Sequence, residues 1–264
     1  NVTPQLKNEY VIATPKVAVA AKINYTYHSF FNPAASGKTY LVKRIDIDVD
    51  CNGAAVYTNT IALRRITAAS AGTLITQSDI PEKDTAANVS TVELRNTNPT
   101  VTRVGTANAR LRQVTPCGAA NQYGAHKETL FGSSEEPLII KQSEGLALIS
   151  ETAGDVNQLV GMQMEWEEIS NTTTPLTENE LIYASPPVTT TATVNYTYHS
   201  MFNPVGSGKV AIIKRIEIRM DAGSANAVYQ PVNLQRINAA SAGILIAQSD
   251  IPKKNSATNT TVME

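Results

Sequence analysis

The sequence predicts an all-β protein made of tandem, jelly-roll-like β-sandwich domains, the second copy incomplete. Three observations carry that expectation. Short runs rich in Thr, Val, Ile and Tyr are separated by Gly, Pro, Asn and Ser, the residues of tight turns. The clearest runs alternate apolar and polar residues with the period of a strand. A domain-sized segment also occurs twice.

The alternation is sharpest in LVKRIDIDVD, from Leu41 to Asp50. Ile45, Ile47 and Val49 fall on one face, and Arg44, Asp46 and Asp48 on the other, as in a half-buried antiparallel strand. LVGMQMEWEEI at 159–169 sets Met162, Met164 and Trp166 against Gln163, Glu165 and Glu167, with Glu165, Glu167 and Glu168 forming an exposed acidic edge. Further strands are expected at 24–31, 56–66, 72–77, 88–95, 100–104, 108–114, 137–142 and 145–151. No stretch shows the 3.6-residue periodicity of an amphipathic helix. Many short strands per unit suggest a sandwich or jelly roll.

The repeat is explicit. NYTYHSFFNPAASG at 24–37 returns as NYTYHSMFNPVGSG at 195–208, and KRIDI at 43–47 as KRIEI at 214–218. RITAASAGTLITQSDIP at 65–81 returns as RINAASAGILIAQSDIP at 236–252. Inward positions stay apolar between copies while outward charge changes sign, from Asp48 to Arg219. Four regions are expected: an N-terminal arm at 1–23, a first sandwich at 24–170, a Thr- and Pro-rich linker or arm at 171–193, and the first half of a second sandwich at 194–264. Glu264 corresponds to Glu93, so the second copy is expected to be completed downstream or by strands from another chain.

Composition narrows the function. With 22 Lys and Arg against 23 Asp and Glu, the net charge is −1, which offers no general attraction to nucleic acid or an anionic membrane. No apolar run approaches the roughly 20 residues of a membrane helix. Cys51 and Cys117 are expected to be free thiols, because the duplicate of the Cys51 segment, Asp221-Ala222-Gly223, has no cysteine.

Several motifs invite a site. NPAASGKT at 32–39 ends like a phosphate-binding loop, but Asn32 stands where that loop needs Gly, and Val210 replaces the hydroxyl in the second copy. A turn entering a strand is the better reading. His28 and His199 lack neighbouring ligand-type residues and are expected to be structural. The Asp of QSDIP reads as a turn residue, and the carboxylates of SSEEP at 133–137 as a solvated loop. No catalytic, metal-binding or cofactor-binding residue is expected, and the chain is read as non-enzymatic.

Taken together, FNPAASGK (31–38), KRIDIDV (43–49), EEPLIIKQSEGLALISETAG (135–154) and MQMEWEEI (162–169) resemble a family of tailed-bacteriophage virion structural proteins: head-decoration, head-fibre and tail-associated β-sandwich proteins with NPxGSGK, GEGLAL and WEE segments. Ser143 stands where that pattern has Gly. The resemblance implies a jelly-roll-like module on the virion surface, made in the host cytoplasm, which decorates a capsid or forms part of a fibre. Its partners would be other virion proteins and further copies of itself, a trimer among the forms implied. The alternative is a carbohydrate- or receptor-binding module, for which Tyr25, Tyr27, Tyr196 and Tyr198 are the candidate contacts.

Overall fold

The computed structural model describes residues 8–18, 22–52, 60–83, 89–106, 109–115, 123–132, 136–153, 158–171, 183–185, 196–203, 213, 215–218, 234–235 and 237, with backbone alone at 51, 52, 123 and 124. Thirteen strands are described: β1 (Glu9–Ala13), β2 (Val17–Ala18), β3 (Thr26–Asn32), β4 (Lys38–Asn52), β5 (Ile61–Ser70), β6 (Thr73–Ile75), β7 (Glu93–Asn96), β8 (Thr100–Arg103), β9 (Arg112–Val114), β10 (Tyr123–Phe131), β11 (Leu138–Ile140), β12 (Glu144–Ser150) and β13 (Leu159–Ser170). They form two antiparallel sheets. One has the order β1-β13-β4-β10, with β2 beside β13 and β11 beside β4. The other runs β6-β7-β3-β12-β5-β8, with β9 beside β5. The fold is an all-β sandwich.

The core lies between the sheets. Ile45, Ile47 and Val49 of β4 face Phe30 of β3 and Leu146 and Leu148 of β12 in one buried cluster. Trp166 anchors it, stacked on Tyr10 at 5.5 Å between ring centroids and edge-on to Phe30 at 5.2 Å. All seven residues of β12 are buried, because a smaller cluster of Ile66, Ala147 and Ile149 covers the opposite face of its sheet. That two-sided cover explains why EGLALIS reads as a continuous apolar run rather than an alternating one. Gly145 is required there: a Cβ would lie 2.4 Å from the Phe30 carbonyl oxygen.

Three sequence expectations need correction. Residues 9–13 were expected within an arm, but β1 pairs with β13 from Glu9↔Glu167 to Ala13↔Gln163 and carries Tyr10 and Ile12 into the core. The strand β10 was not foreseen; among its described side chains, at 125–131, the apolar ones that reach the core are the adjacent Leu130 and Phe131, which give no alternating signature. Glu168, expected on an exposed acidic edge, is buried, as is Asp46 on the outward face of β4. Asp46 sits on an inner strand between Thr129 of β10 and Gln163 of β13, with Arg44 Nη2 2.9 Å from Oδ2.

The turn between β11 and β12 explains the departure at Ser143. Glu144 N–H donates to Lys141 O at 3.1 Å, and Ser143, third in this four-residue turn, has φ +61°. That is the position of a type II turn at which glycine carries no steric penalty. Ser143→Gly is therefore expected to stabilise the sandwich by about 0.5–1 kcal/mol, raising the thermal midpoint by a few degrees. A lower midpoint would show that the serine side chain holds the turn in some other way.

The linker and second-copy boundaries fall mainly outside the described residues, as do Cys117 and the Cys51 side chain. No described residue in 194–264 lies in a strand.

Candidate functional site

The buried charges gather on β5. Its run IALRRI is buried throughout, so Arg64 and Arg65, pointing to opposite faces, must each meet a partner. Arg64 donates from Nε to Glu151 Oε1 at 2.8 Å, and from Nη1 to the carbonyl of Thr106 at 2.9 Å. Arg110 Nη2 holds the other oxygen of Glu151 at 2.6 Å. Burial lowers the Arg64 pKa, while the Glu151 carboxylate acts in the opposite direction. Arg65 is fully buried and donates twice to Ile139 O at 3.2 Å, with Glu144 Oε2 3.6 Å away. Burial pulls its pKa down to about 10, which leaves it charged at neutral pH.

At the other end of the core, Glu168 accepts from Ser90 Oγ at 2.6 Å, Thr91 N at 3.1 Å, Thr91 Oγ1 at 3.0 Å and Trp166 Nε1 at 3.3 Å. Tyr40 Oη lies 2.9 Å from the same Thr91 hydroxyl. Burial, with the nearby carboxylate adding to it, pushes the Tyr10 phenol up to about 12. A carboxylate so fully provided with donors anchors the chain.

His28 is fully buried. Its Nε2 lies 3.0 Å from Val160 O and 3.4 Å from Thr14 Oγ1, so Nε2 carries the proton of the neutral ring. Nδ1 has no hydrogen-bond partner. Burial pushes the pKa down to about 4 against the opposing effect of the Val160 carbonyl. His199, its counterpart in the second copy, is exposed and lies 3.3 Å from Ser185 Oγ.

The phosphate-loop lookalike is a turn closed on itself. Ser36 N–H donates to Pro33 O at 3.1 Å and Lys38 N–H to Ser36 Oγ at 3.1 Å, while Asn32 Nδ2 reaches Lys38 O at 2.9 Å. Gly37, at φ +65°, supplies the left-handed residue. Gln77–Asp79 of QSDIP is a single 3₁₀ turn with Asp79 exposed, and Ile80 packs into the core. Of SSEEP, only Glu136 and Pro137 are described, and Glu136 is exposed. Among the described residues, no three His, Cys, Asp or Glu side chains group as a metal site.

The four candidate tyrosines divide. Tyr25 is half-buried, whereas Tyr27 is fully buried and has no face to offer a ligand. Tyr196 is exposed and lies 5.0 Å from Tyr198 between ring centroids. A shallow depression of about 240 Å3 lies elsewhere, lined by residues that include Asn24, Thr26, Asn98, Thr100 and Arg103. Arg103 Nη1 donates to Asn24 Oδ1 at 2.8 Å there. Asn24, Thr97 and Asn98 around it have φ near +60°. Sequence reading missed this place because its residues come from three separate turns and strands.

Comparison of the chain with protein-family models and with curated proteins found no match to either.

Proposed function

We propose that this chain is a structural protein of a tailed-bacteriophage virion, acting at the particle surface as a capsid decoration or fibre component. The duplication is the observation that best supports the reading. The first half of a unit that folds as a two-sheet sandwich recurs in sequence on the same chain, and two weak contacts on one chain act together as a stronger one. Arg64, Arg110 and Glu151 in the sandwich interior are bound to one another, and Arg65 to the backbone, which suits a scaffold. Its working surface would be an extended contact with other virion proteins or further copies, on the order of 1,000 Å2 or more. The segments FNPAASGK, EGLALIS and MQMEWEEI add the family resemblance.

The test is quantitative mass spectrometry of particles banded on a density gradient from the native source. Peptides of this chain should be present in a fixed stoichiometry to the major capsid subunit across the band. Absence from the band, or an amount that varies independently of the capsid, would overturn the reading. A second reading, binding of a glycan or receptor, is favoured by the polar depression at Asn24, Asn98 and Arg103 rather than by the tyrosines.

A further inference from the structure

The sheet topology divides the first sandwich sharply. β3 pairs with β7 and β12; β4 pairs with β10, β11 and β13; β5 pairs with β8, β9 and β12. β1 and β2 pair with β13, and β6 with β7. No two strands among β1–β6 form a ladder with each other; the isolated bridge Tyr10↔Glu82 is the described exception within this half. Every ladder therefore joins one of these six strands to one that begins at Glu93 or later.

Residues 196–203 repeat 25–32, which contain β3, and residues 215–218 repeat 44–47 of β4. Their environment is reversed. Met201 is 48% exposed, Ile216 50% and Ile218 58%, whereas their counterparts Phe30, Ile45 and Ile47 are fully buried. Among the described residues, the first set lies in paired strands and the second lies in no strand.

We infer that residues 196–203 and 215–218 are an acceptor face for a polypeptide segment with the strand pattern of β12 and β13. The β12-like strand, apolar on both faces and with Gly at the crowded position, would lie along 196–203 as β12 lies along β3. The β13-like strand would set methionines opposite Ile218 and Ile216, as Met162 and Met164 stand opposite Ile47 and Ile45. A glutamate would meet Arg215, as Glu165 meets Arg44. The occupant is a further segment of this kind, distinct from the β12 and β13 already closed in the first sandwich. The inference is independent of the virion reading.

The experiment appends residues 93–170 of this sequence after Glu264 and follows amide hydrogen exchange. Amides at 215–218 should slow by on the order of 10³-fold or more, approaching those at 44–47. Arg215→Cys should cross-link to a cysteine replacing the appended copy of Glu165, which reads the register directly. Ile216→Asp with Ile218→Asp should remove the slowing and leave 44–47 protected. Exchange at 215–218 that is unchanged by the appended strands, or protection that survives both aspartates, would overturn the inference.

Discussion

Glu151→Gln is expected to destabilise the first sandwich by about 3–5 kcal/mol, the cost of removing one partner from a buried ion pair. The carboxylate is the shared anion of Arg64 and Arg110, whose side chains are 1% and 7% exposed. Glutamine preserves the shape but leaves two cations facing a neutral amide, with little water to compensate either. Arg64 retains its bonds to the carbonyls of Thr106 and Ala109, so the loss should be thermodynamic rather than a loss of fold. Since small domains are stable by about 5–15 kcal/mol, a urea titration will resolve it. Adding Arg110→Met to Glu151→Gln should recover part of the loss, because one uncompensated cation is removed. A single-variant loss under about 1 kcal/mol would mean that solvent already carries these charges.

The same cluster shows what could be read from the sequence. The sandwich was legible wherever one face met the core and the other met water: Ile45, Ile47 and Val49 are all fully buried, as are Met164 and Trp166. β12 was legible as a strand from its unbroken apolar run. Glu168 was misread although its spacing from Trp166 already placed it on the inward face; its charge was weighed above its position. Only the fold brings Ser90, Thr91 and Glu168 together across more than 70 residues of chain. Glu151 and Arg110 were likewise invisible as a pair. Two adjacent arginines inside an apolar strand were nevertheless a usable sign, because neither could be buried without a counter-charge or carbonyl nearby. β1 was hidden by the likeness of its flanking leader to the Thr- and Pro-rich segment at 171–193, while its own two inward residues, Tyr10 and Ile12, carried too short a pattern to stand out.

His28 should make the first sandwich acid-sensitive over a range set by its own burial. Unfolded histidine titrates near 6.5, and in the fold burial holds His28 at about 4. Between those values the unfolded chain binds a proton that the folded chain does not, so stability falls as pH falls. The contribution is fully present above pH 6.5 and lost by about pH 4, amounting to about 3 kcal/mol. Protonation would place a cation between Thr14 and Val160, with a proton on Nδ1, which has no acceptor. His28→Gln separates this effect from carboxylate titration, because its amide can still donate to Val160 O and carries no charge at any pH. Urea midpoints at pH 7, 5.5 and 4 should show the parent chain losing about 3 kcal/mol more than the glutamine variant. Parallel losses in the two chains would mean that His28 is charged or relaxed in the folded state, and that the neutral ring is not what joins β3 to β13.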